Sequence, residues 1–363
     1  MKFTYTYDSH NNITSITRYD NGSLTPNYVE FFYYDDLTNA LMMHELMFGS
    51  DYVITNYTYD ERGNICNVSR DANDVTSTIS LTYSSTGWLD QLQTITNGGV
   101  TYNVGNYQTI GNPLNYRGYT VTYDQRSITQ LFDGINTYLY SYNANGIRTS
   151  KTVNGVITTY TLEDSKILKE VRFIDPEDYD GNIILDYYYD SNDNIIGFNY
   201  KGVFYQYIKN LQNDIIAIAD RNGTILVKYV YDAYGNILSI TDTSGIDLGN
   251  INPFRFKSYY YDTETGFYYL NSRYYDALVG RFMNADDVSI LILTQGELLG
   301  TNLFTYCNDN QIMSSDSTGE FGLPVILAVA ITASVIGAVA QLASNVIAGL
   351  KGKTFSKVCL VLH

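Results

Sequence analysis

The chain has 363 residues, and 38 acidic against 22 basic side chains give it a formal charge of −16. That balance excludes a protein whose affinity comes from neutralising a phosphate backbone or an anionic lipid surface. Tyrosine dominates the aromatic set, with 37 Tyr beside 15 Phe and one Trp, and only five prolines interrupt the chain. Such a composition suits strands joined by tight turns, and it excludes collagen-like and proline-rich disordered architectures.

Cys66, Cys307 and Cys359 are widely separated and odd in number, so they form neither a disulfide framework nor a Cys-x-x-Cys metal pair. His10, His44 and His363 are equally isolated. No metal, cofactor or Cys/His nucleophile pair is expected. Met1–Asp8 alternates apolar and polar residues like a strand and has no basic region followed by an apolar stretch, so it does not read as a secretory signal. The chain is therefore expected to begin inside a repeat array.

From the amino terminus a unit recurs: Tyr-x-Tyr, an Asp, a short polar turn containing Gly or Asn, then Ile or Leu. Tyr57-Thr58-Tyr59-Asp60, closed by Gly63-Asn64-Ile65, is one clear copy, and Tyr229-Val230-Tyr231-Asp232, closed by Gly235-Asn236-Ile237, is another. Looser copies start at Tyr5, Tyr140 and Tyr187, with degenerate ones at Tyr33, Leu81 and Thr122. Each predicts a hairpin. Tyr-x-Tyr places two rings on one strand face, the Asp carboxylate accepts the N–H two residues on, and Gly or Asn supplies a left-handed residue. Asp190-Ser191-Asn192-Asp193-Asn194 faintly suggests a calcium loop, but Ile195 stands where the loop needs Gly and Lys201 where it needs Glu, which leaves turn chemistry.

The stretch from Asn252 to Phe282 carries the most specific signal. It reads Tyr259-Tyr260-Tyr261-Asp262-Thr263-Glu264-Thr265-Gly266-Phe267-Tyr268-Tyr269-Leu270, then Asn271-Ser272-Arg273-Tyr274-Tyr275-Asp276, then Gly280-Arg281-Phe282. Two more hairpins are predicted, with Phe267–Leu270 buried on both faces and Arg273 and Arg281 either paired with carboxylates or stacked on tyrosines.

The Tyr-Asp units over residues 1–250 resemble the YD-repeat, or RHS, family, and the segment 252–282 resembles that family's repeat-associated core; Ala277 stands where the family has Pro. The resemblance implies an all-β fold, a spiralling antiparallel YD-repeat sheet forming part of a shell, here followed by a short C-terminal apolar helix. It implies three parts: shell wall 1–251, core 252–320 with Arg273, Tyr274, Tyr275, Asp276, Gly280, Arg281 and Phe282 as its motif, and a variable segment 321–363. Some family members cut themselves after the core with two aspartates. The matching positions are Asp286 and Asp316, with the cut after Glu320. Ser317 replaces a family proline and Glu320 a leucine, and as preferred turn residues the two aspartates equally suit purely structural turns.

From Phe321 to Leu350 thirty residues carry no charge, long enough for a membrane-crossing helix, although Gln341, Ser344 and Asn345 suit a helix buried against protein instead. The thirteen residues after Leu350 hold no catalytic constellation. The sequence thus predicts a structural carrier segment of an RHS-type toxin or surface protein. Its expected partners are its own C-terminal segment, other shell parts, and a target-cell surface or immunity protein, with no nucleic acid; membrane contact is reserved for 321–350. Family resemblance implies a secreted or cell-surface location. The alternatives are a cis-acting aspartyl autoprotease and a Tyr-rich glycan- or protein-binding module.

Overall fold

A computed structural model describes residues 1–20, 23–174, 181–287, 302–316, 318–319 and 323–324. Met1–Gly322 form one unit, and Leu323–His363 form a second of which only the two-residue strand Leu323–Pro324 is described. The helix and the membrane contact expected within 321–363 lie outside the described residues. Among the described residues no helix is long and apolar enough to cross a membrane.

The Asp-led turns form as their chemistry dictates. At Asp232 the carboxylate Oδ1 accepts the N–H groups of Tyr234 (3.0 Å) and Asn236 (2.9 Å), while Gly235, at φ +87°, donates its N–H to the Asp232 carbonyl. The same arrangement of two donors on one acceptor recurs at Asp8, Asp60, Asp190 and Asp220, so one carboxylate oxygen satisfies two turn donors that the strands cannot reach. The turns at the opposite hairpin ends are of another kind. Asn73-Asp74, Gly98-Gly99, Asn154-Gly155 and Lys201-Gly202 each place two consecutive residues in the left-handed region, as a two-residue hairpin turn matched to strand twist requires.

Just past most Asp-led turns the register slips by one residue, as between Thr58 and Tyr59 opposite Ile65. The Ile or Leu that starts the return strand then lies two residues short of the ladder to the next strand, and its carbonyl meets the second Tyr of the following unit. Tyr34 donates to Ile13, Tyr59 to Leu41, Tyr83 to Ile65, Tyr107 to Leu92, Tyr142 to Ile128, Tyr189 to Ile167 and Tyr231 to Ile215, at 2.6–2.9 Å. The repeated tyrosine is therefore the stitch between hairpins, with its ring packed on the core and its hydroxyl closing a backbone gap.

Nine antiparallel strands run in chain order from Lys2–Tyr7 to Val100–Asn103, and thirteen more from Asn115–Tyr116 to Ile237–Asp242; a single bridge, Gly105 to Asn115, joins the two sheets. Alternation sets the buried face, with Val53, Thr55 and Tyr57 inward on the Asp51–Tyr59 strand. The ribbon returns on itself: Arg70 pairs with Asp232, the Tyr59 and Tyr234 hydroxyls meet at 2.9 Å, and Lys228 lies 3.3 Å from Asp20.

Between these walls lies the segment after Asp242. It has a helical turn, Leu248–Ile251, then a four-stranded sheet, Tyr260–Asp262, Phe267–Leu270, Arg273–Asp276 and Arg281–Phe282, with every residue of the middle two strands buried. Side chains from 252–313 touch the walls from Asn12 to Tyr234, so the segment acts as a plug against the Tyr-Asp ends of the hairpins.

Candidate functional site

The plug is anchored by charge buried among rings. Asp262 receives Arg148 in a two-pronged contact (2.6 and 3.0 Å) and Lys151 at 2.9 Å; Lys151 also reaches Glu264 at 2.7 Å. Five tyrosine rings, those of Tyr140, Tyr160, Tyr260, Tyr269 and Tyr274, lie within 6.0 Å of the Arg148 guanidinium. Burial alone would raise the Asp262 carboxyl, but the two cations outweigh it and hold it below the ordinary carboxylate range. Nearby, Glu170 holds Arg172 at 2.5 Å and accepts the hydroxyls of Tyr187 (2.8 Å) and Tyr260 (3.0 Å).

The predicted core-motif residues all lie in this interior. Tyr274 meets the Tyr142 hydroxyl at 3.0 Å, and Tyr275 donates to the Tyr234 carbonyl at 2.7 Å. Asp276 accepts Arg117 at 2.9 Å and the Tyr116 hydroxyl at 3.1 Å. Gly280, at φ +69°, leaves no room for a Cβ against Ile65 and Tyr234. Arg281 donates to the Asp90 carbonyl at 2.9 Å and lies 4.6 Å over the Phe304 ring, while Phe282 carries the Arg273 guanidinium at 3.5 Å. Arg281 also lies 5.2 Å over the Tyr83 ring, whereas Arg273 lies over a phenylalanine rather than a tyrosine but pairs with carboxylates.

Those carboxylates are Asp286 and Asp316. The Nη2 of Arg273 lies 2.8 Å from Asp286 and 3.3 Å from Asp316, so residues 30 positions apart share one guanidinium nitrogen. Burial pushes the Asp286 carboxyl up to about 6 against the pull of the Arg273 cation. Asp316 also serves as a turn residue, its Oδ1 accepting the Gly319 N–H at 2.8 Å. The same cluster grips the chain leaving the plug. Ser272 Oγ donates to the carbonyls of Thr318 (2.9 Å) and Gly319 (2.7 Å), and Arg273 Nε also donates to the Gly319 carbonyl. Gly319 fits only because it lacks a side chain, since a Cβ would fall 2.4 Å from the Leu270 carbonyl oxygen. Ser317 and the Glu320–Phe321 bond lie outside the described residues.

Sequence reasoning missed the wall's half of the site: Arg148, Lys151, Glu170 and Arg117. A signal was present. Because the slip adds one residue, each return strand buries its first and fourth positions: Ile65 and Val68, Leu92 and Ile95, Ile128 and Leu131, Ile195 and Phe198. Arg148, Lys151 and Glu170 occupy those inward positions, and a charge written there demands a buried partner.

A two-sheet antiparallel wall of Tyr-Asp hairpins, holding a plug by buried ion pairs and gripping the backbone at Thr318 and Gly319, defines a repeat shell. The Teneurin YD-shell family model matches residues 178–312. The tRNA3(Ser)-specific nuclease WapA of Bacillus spizizenii is 28% identical over 275 residues, 75% of this chain and 11% of that protein. The tRNA nuclease WapA of Bacillus subtilis is 29% identical over the same length and share. Among solved structures, the TcdB2–TccC3 crystal structure superposes with a TM-score of 0.67 at 17% identity, covering 87% of this chain and 17% of that one. The TcdB2–TccC3–Cdc42 structure gives 0.66 at 16%, covering 88% and 17%. The chain resembles the RHS/YD-repeat family, with the YD-shell model matching its residues 178–312, and is a structural shell segment. It spans about a tenth of the length of the curated relatives it matches.

Proposed function

We propose that this segment carries the chain that follows Gly319, holding it at a fixed exit from the plug as part of a secreted or surface-exposed toxin. The observation behind this reading is the grip on Thr318 and Gly319 by Ser272 and Arg273, which fixes where the following segment starts. The test inserts a site for an exogenous protease between Glu320 and Phe321, cuts the folded chain, and follows the 321–363 peptide by size-exclusion chromatography. Co-elution with the wall is expected, and free elution would overturn carriage. A target-cell surface and an immunity protein are the partners this reading adds, and the tRNA nucleases among its relatives suit a toxin context. The domain division at 251 and 320 goes with the same proposal.

A second reading is favoured by the convergence of Asp286 and Asp316 on one nitrogen: self-cleavage after Glu320. In this reaction a water adds to the Glu320 carbonyl carbon, the bond to the Phe321 nitrogen breaks, and the new amine takes up a proton. Asp286, whose carboxyl burial pushes up to about 6, is suited to hold a proton and polarise the Glu320 carbonyl, and the second carboxyl group of the pair, that of Asp316, takes the role of orienting the attacking water. Arg273 keeps its charge throughout and orients both carboxylates. The intact mass of the purified, denatured chain is measured beside the Asp286→Asn variant. A wild-type species ending at Glu320 that the variant lacks is expected; full-length mass in both would leave the aspartates as turn residues.

A further inference from the structure

The three parts of the unit meet at a small polar cavity that none of the contacts above explains. The first sheet contributes Ile16, Tyr28, Glu30 and Phe32, the second contributes Asn210, Gln212, Asp214 and Tyr231–Ala233, and the plug contributes Phe256, Lys257, Gln311 and Ile312. Its volume is about 30 Å³. Lys257, Gln212 and Gln311 are 3%, 3% and 0% exposed, yet the Lys257 ammonium and both polar atoms of each glutamine amide have no hydrogen-bond partner in the protein. What sets this place apart is that three such side chains line one cavity, and buried polar atoms ordinarily find a partner.

The neighbouring carboxylates do not serve them. Asp214 accepts the Lys257 backbone N–H at 2.9 Å and Asn210 at 2.7 Å; Glu30 pairs with His44 at 3.0 Å; Asp232 takes Arg70 and its own turn donors. The orphans themselves specify what fits. Lys257 offers donors alone, while each amide offers donors and an acceptor. A halide would satisfy the donors, leave two amide oxygens bare, and sit beside three carboxylates. A metal cation would satisfy the oxygens and face the lysine. Water both donates and accepts, and by this measure of volume each molecule needs roughly 10–15 Å³.

We propose that this cavity is a binding site for one or two internal water molecules, which bridge Lys257 and Gln311 of the plug to Gln212 of the wall and form a hydrated joint where both sheets meet the plug. The ammonium then keeps part of its hydration inside the shell, and the two amides become satisfied without touching each other.

The test is a crystal structure of the full chain grown in sodium bromide, with data collected at the bromine absorption edge, beside that of Gln311→Met. The expected result is one or two ordered peaks within hydrogen-bond distance of Lys257 Nζ and both amides, with no anomalous signal, and at least one peak lost in the variant. An anomalous peak in the cavity would show a halide site instead. An empty cavity, or amides rotated into direct contact with Lys257, would equally overturn the proposal. In solution, deuteron relaxation dispersion of the wild-type chain should count more long-lived waters than Gln311→Met. Equal counts in two folded proteins would contradict it.

Discussion

Asp286 shows how burial and a cation compete over one carboxyl. It lies beside Arg273, which alone would draw its titration down, yet loss of water dominates and the group titrates near 6. The folded chain therefore binds this proton more tightly than the unfolded chain, where the carboxyl titrates near 3.8. Protonation favours the fold, and the stabilisation is present at low pH and lost as pH rises through that window. Asp286→Asn, neutral at every pH, should gain stability relative to the wild type as pH climbs from below 3.8 to above 6. Urea midpoints of the two proteins across that range check the sign. Parallel curves would mean that Asp286 is as well solvated in the fold as outside it. Arg273 cannot be exchanged for Lys on the same logic, because it engages two carboxylates and two carbonyls through different nitrogens of one planar group.

At the scale of the hairpin, the two tyrosines at the end of the Ile183–Tyr189 strand do different work although they are neighbours. Tyr189 donates to the Ile167 carbonyl, whereas Tyr188 is 45% exposed on the other face. Tyr189→Phe should cost about 0.5–1.5 kcal/mol, the net worth of one hydrogen bond, and Tyr188→Phe almost nothing. Equal costs in chemical denaturation would disprove the stitching role. Turn glycines separate in the same way. Gly146 and Gly235 both have positive φ, but a Cβ at Gly146 meets open space while one at Gly235 would fall 2.3 Å from the Phe256 ring. Gly146→Ala should lose about 1 kcal/mol to backbone strain alone. Gly235→Ala should lose clearly more, because the plug must shift as well; thermal unfolding distinguishes the two.

For the unit as a whole, stability depends on the plug as much as on the ladder of hairpins. An open antiparallel ribbon buries one face only if something lies against it, and here the plug does so from Asn12 to Tyr234. Asp262→Ala should cost about 3–5 kcal/mol, since it strands a guanidinium inside a ring of tyrosines. Replacing both partners, Asp262→Leu with Arg148→Met, should cost much less. A small loss in the single variant, read from the denaturant midpoint, would show that shape alone seats the plug.

The hairpins were legible because turn chemistry is local: Asp60, Gly63 and Asn64 satisfy each other within five residues. The core motif and the pair Asp286 and Asp316 were legible through resemblance to a family. The partners of Asp262 and Asp276 were not, because Arg148, Lys151 and Arg117 lie more than a hundred positions away, and nothing local in either stretch names the other. The alternate turns escaped notice although Asn154-Gly155 announces its type, and the inward charges on the return strands were hidden by the register slip that moves burial from every second residue to the first and fourth. The sequence by itself determined the strands and the turns, since each depends on side chains reaching their own backbone. Tertiary structure alone decided which walls face each other, which charges are buried together and what grips Gly319, since only folding strips those groups of water and obliges each to find a distant partner.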